Sequence, residues 1–377
     1  MVEQRVRLGG RFLGRSFNER DIARKFGSFG LDALQIDMER VAMKVLLGVA
    51  LFLLMLEIPI RAQEVQPVVQ NRVASETSFS AQHFAVVSKA DRLSIALDKR
   101  EIVDFVFQDS KILRPYFANA KTSSGQQVTR NHPPIEGKDA MDHDTMHPGI
   151  WLAFGDINGN DYWRNKATIV HRHFSEQPVS LGNELRFTTE SDLLAADEAV
   201  LCGLTNRIRL HVRPSGWLVI WDATFRAEQD FAFGDQEEMG FGARVSTDLT
   251  EKNGGTILNS TGVTSAAKTW GQPSSWCDYF GKASDREIGV MLMASDSNFR
   301  MPWWHNRNYG LMVCNAFGRK AMKQGELSSI PVKRGERFQL KFGALIHDSV
   351  PLDRSAEYAY FADAIGKLNV TSSKPIE

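Results

Sequence analysis

Residues 142–163 bring imidazoles, carboxylates, carboxamides and aromatic rings into one short stretch. His143 and His147 supply groups that exchange protons or bind metal near neutral pH, and Asp142, Asp156 and Asp161 supply carboxylates. Trp151, Tyr162 and Trp163 add flat apolar faces with a polar edge, a surface on which a sugar ring can rest. Pro148, Gly149, Gly155 and Gly159 punctuate the stretch, so it reads as loop and strand rather than helix. The mixture describes a polar, aromatic-lined cleft.

A second cluster lies at 302–310, where Trp304, His305, Arg307 and Tyr309 follow one another closely. A solvated loop rarely carries two Trp unless they cover something; Trp303 or Trp304 alone is explained as a structural corner, but His305 and Arg307 are not. Between the clusters come 234–238, a Gly-Asp-Gln-Glu-Glu loop ending in Glu238, and 276–279, Trp-Cys-Asp-Tyr. The four-residue spacing of His143 and His147 makes them the candidates for a metal, but no Glu follows His143 as a helical zinc motif requires. Asp156, Asn158 and Asp161 have the early spacing of a calcium loop without its bidentate Glu, so Asp156 and Asn158 read as turn makers. His171 and His173, two apart in a strand, should share a face and read as packed or surface residues.

Strands must position these groups. Residues 207–213 alternate polar and apolar, a Pro-Ser-Gly turn follows at 214–216, and 217–225 returns as a β-rich run, which makes a hairpin. A second hairpin is expected around Gly335 and Glu336, and further strands at 93–97, 102–107 and 171–174. Tyr358, Phe361, Ala362 and Ile365 fall at helical spacing behind Pro351 and Asp353, which predicts one short C-terminal helix on the edge or outer face of a sheet. Turn signals recur at short intervals and no other long amphipathic helix interrupts them. The expected fold is therefore all-β in the main, a large antiparallel sandwich or barrel.

The bulk properties narrow the function. With 45 basic and 45 acidic residues, the chain lacks the charge footprint of a nucleic-acid binder. An apolar fraction of 43% suffices for a substantial core. Met43-Lys44, the apolar run 45–56 and Ile60-Arg61-Ala62 form a signal peptide over 43–62, too short in its apolar part for a comfortable membrane span. Residues 1–42 then read as an extension ahead of the true start, 63–75 as a flexible lead-in and 76–377 as one domain, secreted or periplasmic. An uncleaved membrane anchor is the alternative. The three cysteines, Cys202, Cys277 and Cys314, read as small buried residues.

Taken in order, several of these segments resemble an exported bacterial family commonly labelled methane oxygenase PmoA. The matching pieces are Asp142-His143, 149–163, Gly234-Asp235 with 240–245, 276–279, and Trp304-His305 with Arg307 and 309–311; they span roughly 110–345. The family pattern has Asp-His-Pro-His-His-Arg-Gly in its first block, whereas Asp142 to Gly149 is one residue longer and lacks the Arg. The resemblance implies a β-sandwich similar to the galactose mutarotase-like supersandwich and to polysaccharide lyases.

On this footing the expected protein acts on a sugar or oligosaccharide, as an isomerase or epimerase, a lyase or a hydrolase. His143 and His305 are the proton-transfer candidates, with Glu238 as carboxylate partner. Trp151, Trp163, Trp276 and Trp304 are candidates for the ring, and Asp161, Asp278, Arg307 and Tyr309 for its hydroxyls or an acidic group. No cofactor is predicted, a divalent metal being the one left open. The alternatives are a non-catalytic glycan-binding module, which needs the Trp and Arg residues but not the His, and a metal-dependent oxidoreductase, which needs the His.

Overall fold

The computed structural model describes residues 83–283, 286–348 and 351–372, within the compact unit Thr77–Glu377. The expected extension at 1–42, the expected signal peptide at 43–62 and the expected lead-in at 63–75 lie outside the described residues. In chain order the strands are β1 Phe84–Ser88, β2 Arg92–Leu97, β3 Arg100–Val106, β4 Tyr116–Ala118, β5 Ile150–Phe154, β6 Ile169–Leu181, β7 Glu184–Leu194, β8 Val200–Arg213 and β9 Gly216–Ala227. They continue with β10 Phe231–Phe233, β11 Met239–Arg244, β12 Thr256–Asn259, β13 Trp276–Ala283, β14 Arg286–Ala294, β15 Trp303–Trp304, β16 Leu311–Asn315, β17 Ile330–Val332 and β18 Arg337–His347.

These strands form two eight-stranded sheets and a two-stranded ribbon, β10–β17. The first sheet runs β1-β2-β3-β4-β5-β11-β16-β15 and the second β12-β13-β14-β18-β9-β8-β7-β6, antiparallel throughout. Alternation sends one face of each sheet inward. Phe117, Ile150, Phe241 and Met312 of the first sheet join Phe187, Ile208, Trp221 and Phe342 of the second in one buried core. Phe241 stacks on Phe342 at 5.0 Å, and Phe105 and Phe117 meet the edge of Trp221. The fold is an antiparallel β-sandwich.

The hairpin expected at 207–225 is β8–β9, with Arg213 opposite Gly216. The hairpin expected at Gly335 is not: the turn is present, but β17 pairs with β10 while β18 pairs with β9 and β14. The C-terminal helix, Arg354–Ser372, lies on the outer face of the second sheet against Leu218, Ile220, Met291 and Leu345. Among the described residues, Phe361, Ala364 and Ile365 are its buried apolar side chains, so Ala364 rather than Ala362 completes the apolar face. A bulge between His171 and His173 breaks their alternation. His171 packs on Phe107 and Phe174, and His173 is exposed.

Candidate active site

Chemistry-bearing side chains gather on the outward face of the first sheet. One register row crosses it: Tyr116 of β4 opposite Trp151 of β5, Trp151 opposite Gly242 of β11, and Gly242 opposite Val313 of β16. His305, just past β15, exchanges both backbone hydrogen bonds with Val313. Directly opposed residues share a face, so His305 points outward on the same side as Trp151 and Val313. The next outward row carries Arg244 and Leu311, and Arg307 bonds back to Leu311. Arg244 and Arg307 thus flank one strand, with backbones roughly 10 Å apart.

Glycine makes room on this face. An added Cβ at Gly242 would stand 2.8 Å from the Trp151 ring, so the absent side chain lets the indole lie over the sheet. The buried His147 stacks on Trp151 at 5.3 Å and 11°, and Trp163 meets Trp151 edge-on at 5.4 Å. Both indoles are fully buried. They are a packed platform beneath the site, with no ring face open to a ligand.

Over the platform lies the loop from 139 to 147, pinned by arginines that donate to its carbonyls. Arg130 donates to the carbonyl oxygens of Ala140, Asp142 and His147, and Arg114 to those of Met146 and Trp163. Burial pulls Arg114 down to about 9 and Arg130, with Arg244 beside it, to about 10. Such groups are costly to bury unless they are hydrogen-bonded. Their carbonyl partners supply those bonds and fix the loop.

Two side-chain relays stand on this framework. In the first, Arg244 makes a two-pronged contact with Asp142, 2.9 and 3.2 Å, and Asp142 Oδ2 lies 2.8 Å from His143 Nδ1. Burial opposes ionisation of Asp142, but the hydrogen bonds from Arg244 and His143 hold its carboxyl far below the usual range. His143 is partly exposed and sits at φ +50°, while its ring is 5.1 Å from that of His147. Burial, then the charge of Arg244, pushes the His147 imidazole well below its ordinary value, so it stays neutral.

In the second relay, Arg307 donates to Glu237 Oε2 at 2.8 Å, and the same oxygen is 3.2 Å from His305 Nδ1. That histidine contact has the distance but not the alignment of a hydrogen bond, which leaves a buried nitrogen ready to accept a better geometry. The contact with His305, aided by Arg307, holds the Glu237 carboxyl below the carboxylate norm. Asn315 places Glu237: its amide donates to the carbonyl oxygens of Gln236 and Glu237. Tyr309 lies between the relays, with Arg244 4.5 Å above its ring and the His143 ring 6.4 Å away. Glu238 and Asp161 both pair with Arg164 at the neighbouring rim.

The structure therefore gathers His143, His147, Trp151, Asp161, Trp163, Glu238, His305, Arg307 and Tyr309 on one face. It puts three of the expected residues elsewhere. Trp304 points into the core, its indole donating to the Ser274 carbonyl. Trp276 packs under the C-terminal helix, and Asp278, fully buried, holds His347 and Arg354 on that opposite side. Burial of so large a ring and of a paired carboxylate is a packing role.

Glu237 and Arg244 complete the site without having been expected in it, and Asp142, expected only as one carboxylate of the 142–163 stretch, joins them. Arg244 ending an apolar Gly-Phe-Gly-Ala run was the sequence signal, since a charge there must face away from the core. Trp270 is half-buried nearby, with Arg307 5.8 Å and Lys323 5.6 Å from the centre of its ring. Among the described residues, no group of three His, Cys, Asp or Glu side chains is arranged to hold a metal ion.

Residues 92–361 match the family of unknown function DUF6807. The chain belongs to that family. No curated protein matches this DUF6807 member in sequence. Among solved structures it is similar to a GalM/aldose epimerase homologue from C. elegans, at 9% identity, TM-score 0.32, covering 71% of this chain and 99% of that one. It is also similar to a galactose mutarotase-like protein from Lactobacillus casei, at 10% identity, TM-score 0.35, covering 70% and 100%. A third similar structure is heparan sulfate lyase HepC from Pedobacter heparinus, at 8% identity and TM-score 0.34, where 71% of this chain matches 37% of that one.

Proposed function

We propose that the outward face of the first sheet is the active site of a carbohydrate-active enzyme that moves protons at a sugar carbon or ring oxygen. The observation that carries this reading is the pair of relays, Arg244–Asp142–His143 and Arg307–Glu237–His305, on either side of Tyr309. In each, a carboxylate paired with an arginine faces Nδ1 of a histidine. A proton on Nδ1 leaves Nε2 free to accept another, which is how an imidazole is set up as a general base. One histidine takes a proton while the other, already protonated, returns one on the far side. That is the requirement of epimerisation, of mutarotation and of an eliminative lyase alike.

The surroundings suit a polyhydroxylated ligand. Arginine forks and carboxylates along the rim match hydroxyl groups, and Tyr309 and Trp270 offer partly open rings for the apolar face of a sugar. The left-handed backbone at His143 supports the same reading, because such strain collects where a side chain must be aimed.

Proton NMR of the chain with a panel of mono- and oligosaccharides, uronates included, tests the proposal. Accelerated anomeric exchange, a new alkene signal or an epimerised product is the expected result. His305→Ala or Glu237→Gln should reduce the rate by roughly 10²-fold or more, the usual worth of a positioned acid or base. A full rate in both variants, or no change in any sugar, would sink it.

A further inference from the structure

Beside Tyr309 a pocket of about 210 Å³ opens, lined among others by Asp142, Arg244, Thr247, Thr250, Lys252 and Tyr309. It shares three residues with the site just described. Its size is below the roughly 300–1,000 Å³ of sites for drug-sized ligands, so it takes one substituent or one ring.

Its charge is the informative feature. Asp142, the carboxylate in its wall, is already matched by Arg244 at 2.9 Å and by Arg130 at 3.7 Å. Asp139 nearby is turned to Asn131, the Ile135 amide and Thr247. Lys252 is exposed at the mouth, and among the described residues its ammonium has neither an ion pair nor a hydrogen bond. The charge left facing the pocket is therefore positive. The buried Arg244, neutralised by Asp142, beside a lysine without an ion pair leaves an oxyanion as the group this pocket fits.

We propose that this pocket is a subsite for an anionic substituent, a carboxylate or a sulfate ester, on the sugar held at the neighbouring site. The inference rests on the carbohydrate reading above and specifies its substrate class as acidic sugars. Lys252 supplies the unspent charge, and the Arg244–Asp142 pair sets the wall against which the substituent lies. Because Asp142 also orients His143, an anion here is read next to the proton-transfer group.

Calorimetric titration of the full chain with glucose, glucuronate and glucose 6-sulfate tests this. At least one anionic sugar should bind about five- to tenfold more tightly than glucose, and the stronger of the two identifies the oxyanion. Raising NaCl from about 50 to about 500 mM should shrink that preference. Lys252→Gln should bring the ratio to within about twofold, and Lys252→Arg should restore most of it. Equal binding of glucose and both anions, or a preference that survives Lys252→Gln, overturns the subsite and leaves the carbohydrate reading standing. No binding of any of the three, with no turnover in the NMR panel, overturns both.

Discussion

Replacing Gly242 by Ala probes the platform under the site with the smallest possible change. The backbone there is ordinary for any residue, so the effect is steric. The new methyl would stand 2.8 Å from Trp151 Cζ2, closer than real Cβ contacts come, and a tight 3.0 Å from Cε2. The indole cannot step aside, because it is fully buried, with His147 stacked on it and Trp163 at its edge. Overpacking of this kind costs about 1–3 kcal/mol. For a domain of this size that lowers Tm by about 2–5 °C. Any shift of Trp151 also displaces His147 and the Arg244–Asp142 pair beside it, so sugar turnover should fall further than stability alone explains. Thermal unfolding followed by circular dichroism, with activity measured well below the transition, reads both effects. Gly366→Ala is the control of opposite sign: it lies in the C-terminal helix with nothing near its added Cβ, and should gain about 0.5–1 kcal/mol. A Gly242→Ala protein with unchanged Tm and turnover would falsify the platform argument.

Further outcomes are expected elsewhere. Burial, with Arg209 and Arg213 nearby, lowers His211 to about 4, so the unfolded chain takes up a proton there before the folded chain does. Stability from this group is complete above about pH 6.5 and is lost as the pH falls toward 4. At pH 5 the loss is about 2 kcal/mol, and His211→Gln should flatten that part of a urea-midpoint profile between pH 7 and 5. Asp278→Asn leaves Arg354 and His347 without their buried carboxylate and should cost about 3–5 kcal/mol; a midpoint shift under 1 kcal/mol would show that the helix is held otherwise. All three thiols are buried, and burial pushes Cys202 up to about 12, so a thiol reagent at pH 8 should label the native chain slowly and the denatured chain at three sites.

Much of the architecture was legible because β periodicity is local. Alternation at 207–213 and the turn at 214–216 define β8–β9 without outside help, and the helical spacing of Phe361 and Ile365 announces the C-terminal helix. Pairing across long separations was not legible. The turn at Gly335 looks the same whether its flanking strands pair with each other or, as they do, with β10, β9 and β14. The site divides the same way. His143, His305, Arg307 and Tyr309 stand out because polar and aromatic residues crowd their segments. Asp142 and Glu237 differ from neighbouring carboxylates only in what the fold sets opposite them.

The sequence by itself determined a β-rich chain with a short helix near its C-terminus, and two segments too rich in imidazole, carboxylate and ring to be plain loops. These follow from composition and spacing, which act over a few residues. Tertiary structure alone decided which aromatic rings are floor and which are open. Trp151 and Trp304 are both buried Trp residues in short strands, yet one supports the site and the other fills the core, because strand register assigns each to a face. The same register brings Arg244, from the middle of the chain, against Asp142, and lines up Glu237 with His305. Contacts between residues tens of positions apart depend on how strands pair, and no local pattern encodes that.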